Sequence, residues 1–259
     1  MGEAQRGRFV WFDLMTTDVS AAQDFYTAVV GWTITPFEAF QDPYDMWTAG
    51  ETPIGGAMKL PDEAVAGGAP PHWLGYVQVS DVDATVARAA ELGGGMLMAP
   101  SDIPTVGRFA VIRDPFGAVV APFAPSGPPT EVARAEPGQV SWHELMSDDF
   151  ETAFAFYRDL FGWEKGEAVD MGDAGIYQLV RMGGAEVDAI GMMNRPAEVP
   201  ASYWLYYVNT DDLDAAVERV APNGGRVIMP PMVVPGGDRI AVCMDPQGGA
   251  FALHEYTAP

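Results

Sequence analysis

The chain is poor in the residues that build most of the familiar catalytic and binding motifs. It has one cysteine in 259 residues, Cys243, so no internal disulfide can form. That cysteine lies in the apolar run Arg239–Met244 and reads as a buried strand residue rather than a nucleophile. Three histidines, His72, His143 and His254, leave no Cys/His spacing suited to zinc. Basic residues are scarce as well: 14 Lys and Arg stand against 36 Asp and Glu, a formal charge of −22. Such a field repels nucleic acid and anionic membrane surfaces, and no basic cluster offsets it. No run of 18 apolar residues and no charged-then-apolar leader is present, so a soluble, cytoplasmic protein is expected. Phosphate-cradling loops, dinucleotide fingerprints and the nucleophile elbow of serine hydrolases are also missing.

What the chain does have, it has twice. Gly7–Trp32 and Gly138–Trp163 align without a gap and agree at 10 of 26 positions. His72–Pro115 and Tyr203–Pro246 agree at 20 of 44, at the same offset of 131. A repeat of this period fixes the architecture. The expected organisation is a first domain over residues 1–124, a Pro- and Ala-rich linker over 125–137, and a second domain over 138–259.

Within one repeat the pattern is apolar strand, Asp cap, amphipathic helix and three short strands, and then the same order again. Asp18 and Asp81 sit where helix N-caps belong, and Gly31 and Gly93 where helices stop. Pro61–Pro71 reads as a loop. Asp114-Pro115-Phe116-Gly117 is a turn before the last strand. The fold class is therefore α+β, with four βαβββ units.

This order resembles the vicinal oxygen chelate superfamily of glyoxalases, bleomycin-resistance proteins and dioxygenases. The features that carry the resemblance are an opening apolar strand, a helix ending Phe-Tyr, then Gly-Trp, and a closing Asp-Pro-x-Gly. The variant Trp-Phe-Asp-Leu/Trp-His-Glu-Leu is most similar to two-domain glyoxalase-like proteins, a group that includes a mycobacterial 27 kDa antigen and proteins labelled hydroxylase. The resemblance implies that the units pair into two half-barrel domains, each with a concave cup. It also implies a divalent ion chelating adjacent substrate oxygens. The ligand places that it implies fall here on Trp11, Trp142, Ala121 and Ala252, and around Leu74-Gly75 and Leu205-Tyr206. None of these side chains is a metal ligand, so no cofactor is expected, though a divalent metal displaced along the strands stays open.

Strand alternation groups Trp11 with Asp13 and Met15, and Trp142 with Glu144 and Met146. It brings Phe123 with Ala121, and His254 with Ala252. The expected ligand-binding lining is thus Trp11, Asp13, Met15, Phe123, Trp142 and Met146, with Arg108 and Arg239 either anchoring a ligand or forming structural ion pairs. Glu144 and His254 are the candidate catalytic pair, a base with its orienter or the holders of a displaced metal, at one place in the second repeat only. His143 should face the helices. Two readings lead: a binder of a small apolar or aromatic molecule, or a glyoxalase-like lyase, isomerase or oxygenase with a site moved to Glu144 and His254; a third is an interaction protein whose cups are filled by side chains. The partner is a small molecule in both leading readings, and the chain is a monomer or a homodimer.

Overall fold

The computed structural model describes residues 7–37, 44–127, 134–182 and 189–257. The first repeat runs β1 Phe9–Thr16, α1 Val19–Val30, β2 Thr33–Phe37, β3 Tyr44–Ala49, β4 Thr52–Lys59, α2 Asp62–Ala66, β5 His72–Gln78, α3 Val82–Glu91, β6 Gly95–Ile103, β7 Gly107–Arg113 and β8 Val119–Pro125. The second runs β9 Val140–Ser147, α4 Phe150–Phe161, β10 Glu164–Asp170, β11 Ile176–Arg181, β12 Ile190–Asn194, β13 Tyr203–Asn209, α5 Leu213–Val220, β14 Arg226–Val233, β15 Arg239–Met244 and β16 Ala250–Glu255. Each repeat supplies one eight-stranded sheet. The orders are β2-β3-β4-β1-β5-β8-β7-β6 and β10-β11-β12-β9-β13-β16-β15-β14. The expected α+β fold of four βαβββ units is present.

Local chemistry explains the helix ends. Asp18, Asp81, Asp149 and Asp212 each cap a helix by accepting from a backbone N–H two or three residues on. Gly31 and Gly162 close α1 and α4 in the left-handed region, at φ 87° and 75°. One correction falls at Pro61–Pro71, expected as loop: α2 forms a single turn there, opened by Pro61 and carrying Asp62 and Glu63 in its first turn. Part of the expected linker, residues 128–133, lies outside the described residues.

The chain divides into two compact units that cut across the repeats. The described part of the first unit is residues 7–11, 74–127, 143–182 and 189–204; that of the second is 12–37, 44–73, 134–142 and 205–257. In the first unit, Trp204 Nε1 donates to the Tyr157 hydroxyl (3.0 Å), which donates to Asp114 Oδ2 (3.2 Å). Asp114 Oδ1 accepts from Phe116 N and Ala118 N. The second unit repeats the relay: Trp73 Nε1 to Tyr26 (3.2 Å), Tyr26 to Asp245 Oδ2 (3.1 Å), and Asp245 Oδ1 to the amides of Gln247, Gly248 and Gly249. Burial raises both carboxyls above the usual range, and the hydrogen bonds act against that shift. The Phe-Tyr, Trp and Asp-Pro-x-Gly signatures thus serve the frame. Each relay takes its tyrosine from one repeat and its aspartate from the other.

The Gly-Trp signature serves the frame too. Trp163 Nε1 donates to Gly7 O (2.6 Å), and Trp32 Nε1 to Gly138 O (2.7 Å). Gly7 and Gly138 each stand at φ 84°. Gly7 N donates to Gln78 O while Gln78 N donates to Arg8 O, both at 2.8 Å. This is a bulge whose first residue must be left-handed, hence glycine. Gly138, Gln139 and Asn209 form the same bulge in the second unit.

Candidate functional site

The predicted acids find partners that the sequence did not show. Asp13 is 3% and Glu144 6% exposed. Asp13 Oδ1 accepts from the Tyr44 hydroxyl at 2.6 Å, and Glu144 Oε2 from Tyr177 at 2.8 Å. Opposite each acid the ladder carries a glycine, Gly56 or Gly191. A Cβ on either glycine would run into the tyrosine hydroxyl. Each tyrosine therefore crosses an opened strand to reach a buried carboxylate, which offsets the cost of burying the charge. Glu144 also bears on Tyr203, whose hydroxyl is pushed up to about 12 by burial and by the carboxylate's charge.

Trp11, Met15, Trp142 and Met146 are half-buried, while Leu14 and Leu145 between them are wholly buried. Alternation holds over that stretch. It slips just before it: in β1, Phe9 is buried, Val10 and Trp11 are both half-buried, and Phe12 is buried again. In β9 the consequence is direct. Ser141, which strict alternation turns away from Trp142 and its face, meets His254 instead, Oγ to Nδ1 at 2.7 Å.

His254 is held at both nitrogens, since Nε2 lies 3.2 Å from Asp238 Oδ2. The ring sits edge-on to Tyr256 at 4.5 Å, and Arg134 lies 4.0 Å over that tyrosine. Burial holds the imidazole below the usual histidine range, against the opposing pull of Asp238. The side chains expected to pair are described with other partners: Glu144 with Tyr177, and His254 with Ser141 and Asp238. Ser141 and Asp238 were missed because their counterparts in the first repeat are Val10 and Gly107, with Phe123 at the place of His254.

Arg108 and Arg239 were candidate anchors, and the structure gives them the other expected role. Arg108 binds Asp83 and Asp102, and Arg239 binds Asp214 and Glu255, at 2.7–3.0 Å. His143, expected to face the helices, is buried: it stacks on Phe9 at 4.3 Å, and its Nδ1 meets Ala189 O at 3.0 Å. Burial lowers it to about 4. Cys243 is buried, and its thiol is pushed up to about 12. At the implied metal positions, Ala121 and Ala252 are fully buried methyls and Trp11 and Trp142 are indoles. Among the described residues no three of His, Cys, Asp and Glu gather closely enough to share an ion.

In the first unit, one row of residues crosses four strands. The bulge sets Arg8 opposite Gln78, and the ladder continues to Phe123 and Phe109. Tyr76 packs beside both rings, at 5.7 and 6.2 Å between centroids. On the reverse face Ala110, Ile112 and Val120 are wholly buried, whereas Phe109 and Phe123 stay half-buried. The second unit's row is Gln139, Asn209, His254 and Ile240.

Two eight-stranded sheets in tandem, each from paired βαβββ units around a Trp–Tyr–Asp relay, define a protein class that comparison identifies directly. The model of the Glyoxalase/Bleomycin resistance protein/Dioxygenase superfamily matches residues 8–121 and 139–253, and the chain belongs to that superfamily. It is 34% identical over 253 residues to CFP32 of Mycobacterium tuberculosis, covering 97% of this chain and 95% of that one. It is 32% identical to the anthracycline biosynthesis protein DauV of a Streptomyces species, over 96% of this chain and 93% of the other. The Mn(II)-bound glyoxalase of Novosphingobium aromaticivorans shares the fold at TM-score 0.65 and 18% identity, over 97% of this chain and 82% of its own. So does 2,2',3-trihydroxybiphenyl 1,2-dioxygenase of Sphingomonas wittichii, at 0.68 and 12%, over 97% and 91%.

Proposed function

We propose that the protein binds a small, largely aromatic molecule on the open face of its sheets, without the superfamily's metal ion. One observation carries this reading. Phe109 and Phe123 stay half-buried against the buried Tyr76 ring, while Ala110, Ile112 and Val120 on the reverse face of the same strands are sealed. Two half-open rings backed by a third beside a few polar groups suit a ligand wall better than a solvated surface. Indole and methyl groups at the implied ligand places offer a divalent ion nothing to bind. Anthracycline biosynthesis in the name of one relative agrees with a ligand of this kind. The test is a titration with 2-naphthol, followed by melting temperature and calorimetry. Binding should raise the melting temperature, and Phe123→Ala should weaken it about tenfold, as loss of a ring contact of 1–1.5 kcal/mol does. If neither 2-naphthol nor any other planar aromatic in a panel stabilises the protein, the reading fails.

A second reading has its own observation in the Ser141–His254–Asp238 chain. A carboxylate at Nε2 fixes the neutral ring's proton there and leaves Nδ1 to accept, which is how a general base is oriented. Such a base could take a proton next to a carbonyl. Wild-type protein should then speed deuterium exchange into hydroxyacetone, and His254→Gln should abolish the effect. No exchange above buffer in the wild type removes this reading.

A further inference from the structure

From the contrast between the two rows we infer that the aromatic wall of the first unit selects ligands bearing a planar anionic group, a carboxylate above all, and that Arg8 with Gln78 receives it. The inference rests on the binding reading above and sharpens it to a ligand class.

Arg8 is half-buried, and its Nε is sealed from solvent with no hydrogen-bond partner. Among the described residues its guanidinium takes part in no ion pair or hydrogen bond. Gln78 is only 4% exposed, and its side-chain amide likewise bonds nothing among the described residues. A sealed guanidinium Nε and a nearly buried amide that no described residue bonds are costly unless solvent or a bound molecule satisfies them. The second unit treats the same positions differently. Gln139 Oε1 accepts from Glu136 N, and Asn209 Nδ2 donates to Ala135 O, at 3.0 Å each, although Asn209 Oδ1 is left without a partner. There both polar side chains are tied to the chain's own backbone, while among the described residues those of Arg8 and Gln78 are not.

The chemistry of the open row defines its ligand. A guanidinium presents a flat fork of donors that matches a carboxylate with two parallel hydrogen bonds. The Gln78 amide adds a donor or an acceptor beside it. Phe123 and Phe109 continue the row in line, so a flat hydrophobic body can lie along the rings with its anionic end at Arg8. The net charge of −22 opposes long-range attraction of an anion. Selection must then come from direct contact with the guanidinium fork, which discriminates between an acid and its neutral isostere.

The probes are 2-naphthoate and its uncharged counterpart 2-naphthamide, titrated calorimetrically into the full-length protein. Wild-type protein should hold naphthoate at least tenfold more tightly than naphthamide, the range expected of one charge-assisted pair. Arg8→Gln, which copies the residue of the second repeat, should erase that preference, the loss falling mainly on naphthoate. Arg8→Lys keeps the charge without the fork and should retain only part of it. The melting curve of each variant shows that it is folded. If naphthamide binds the wild type as well as naphthoate, or if Arg8→Gln keeps the preference, the anion assignment is overturned while the aromatic wall stands. If neither probe binds, both readings fall together.

Discussion

The two compact units hold the same frame and different rows. Each has a Trp–Tyr–Asp relay and a Trp-clamped glycine bulge, with bond lengths that agree within a few tenths of an ångström. Each repeat also buries one acid under one tyrosine hydroxyl across a glycine. The rows that follow the bulges share none of this likeness. Arg8, Gln78, Phe123 and Phe109 in the first unit face Gln139, Asn209, His254 and Ile240 in the second. Duplication gave the chain two copies of everything. What stayed alike is what folding needs, and what drifted apart is where a particular chemistry can reside.

That contrast can be broken most forcefully at the relays. Asp245→Ala strands three backbone amides and the Tyr26 hydroxyl, and Asp114→Ala strands two amides and the Tyr157 hydroxyl. Either should cost about 3–5 kcal/mol in urea unfolding. If one proved silent, the claim of a duplicated frame would be lost.

His143 offers a finer test, because the first repeat carries Phe12 at the same place. In the folded protein the ring stays neutral down to about 4, while in the unfolded chain it protonates near 6.5. The unfolded state therefore binds more protons between those values, and stability drains away as pH falls through that window. The linked loss is about 3 kcal/mol. His143→Phe keeps a ring against Phe9 and should flatten stability against pH over this range. An unchanged slope would mean that the acid sensitivity lies elsewhere.

The smallest effect is expected at Arg108 and Arg239. Both pair with carboxylates at the surface, where screening leaves such pairs little net weight. Arg108→Gln and Arg239→Gln should leave the melting temperature within replicate scatter and naphthoate affinity unchanged. A loss of affinity would return these residues to the anchoring role considered from sequence.

The sequence made the repeat, the helix caps, the strand order within each unit and the superfamily legible, because all of these rest on local chemistry at fixed spacing. Three things escaped it, for separate reasons. Tyr44 and Tyr177 lie where the copies differ in length, so no common offset relates them. Ser141 lies off the face that strict alternation gives Trp142, and the strand slips by one residue just there. Arg8 and Gln78 become neighbours only through a bulge that Gly7 makes possible, and a lone glycine before a strand does not announce one. The tryptophans and tyrosines that repeat most faithfully looked like site candidates or generic core; only coordinates show them bonded to carboxylates and backbone oxygens of the other copy.

The reciprocal clamps carry a consequence for how such a gene could have arisen. Trp163 of the second copy steadies the opening turn of the first, and Trp32 of the first steadies that of the second. Neither half of the coding sequence encodes a finished body, since each packing unit draws on both. A solitary ancestor would have needed a twin molecule to lend it the missing indole. Joining the two reading frames made that loan permanent, and from then on either copy could change its open face without losing its partner.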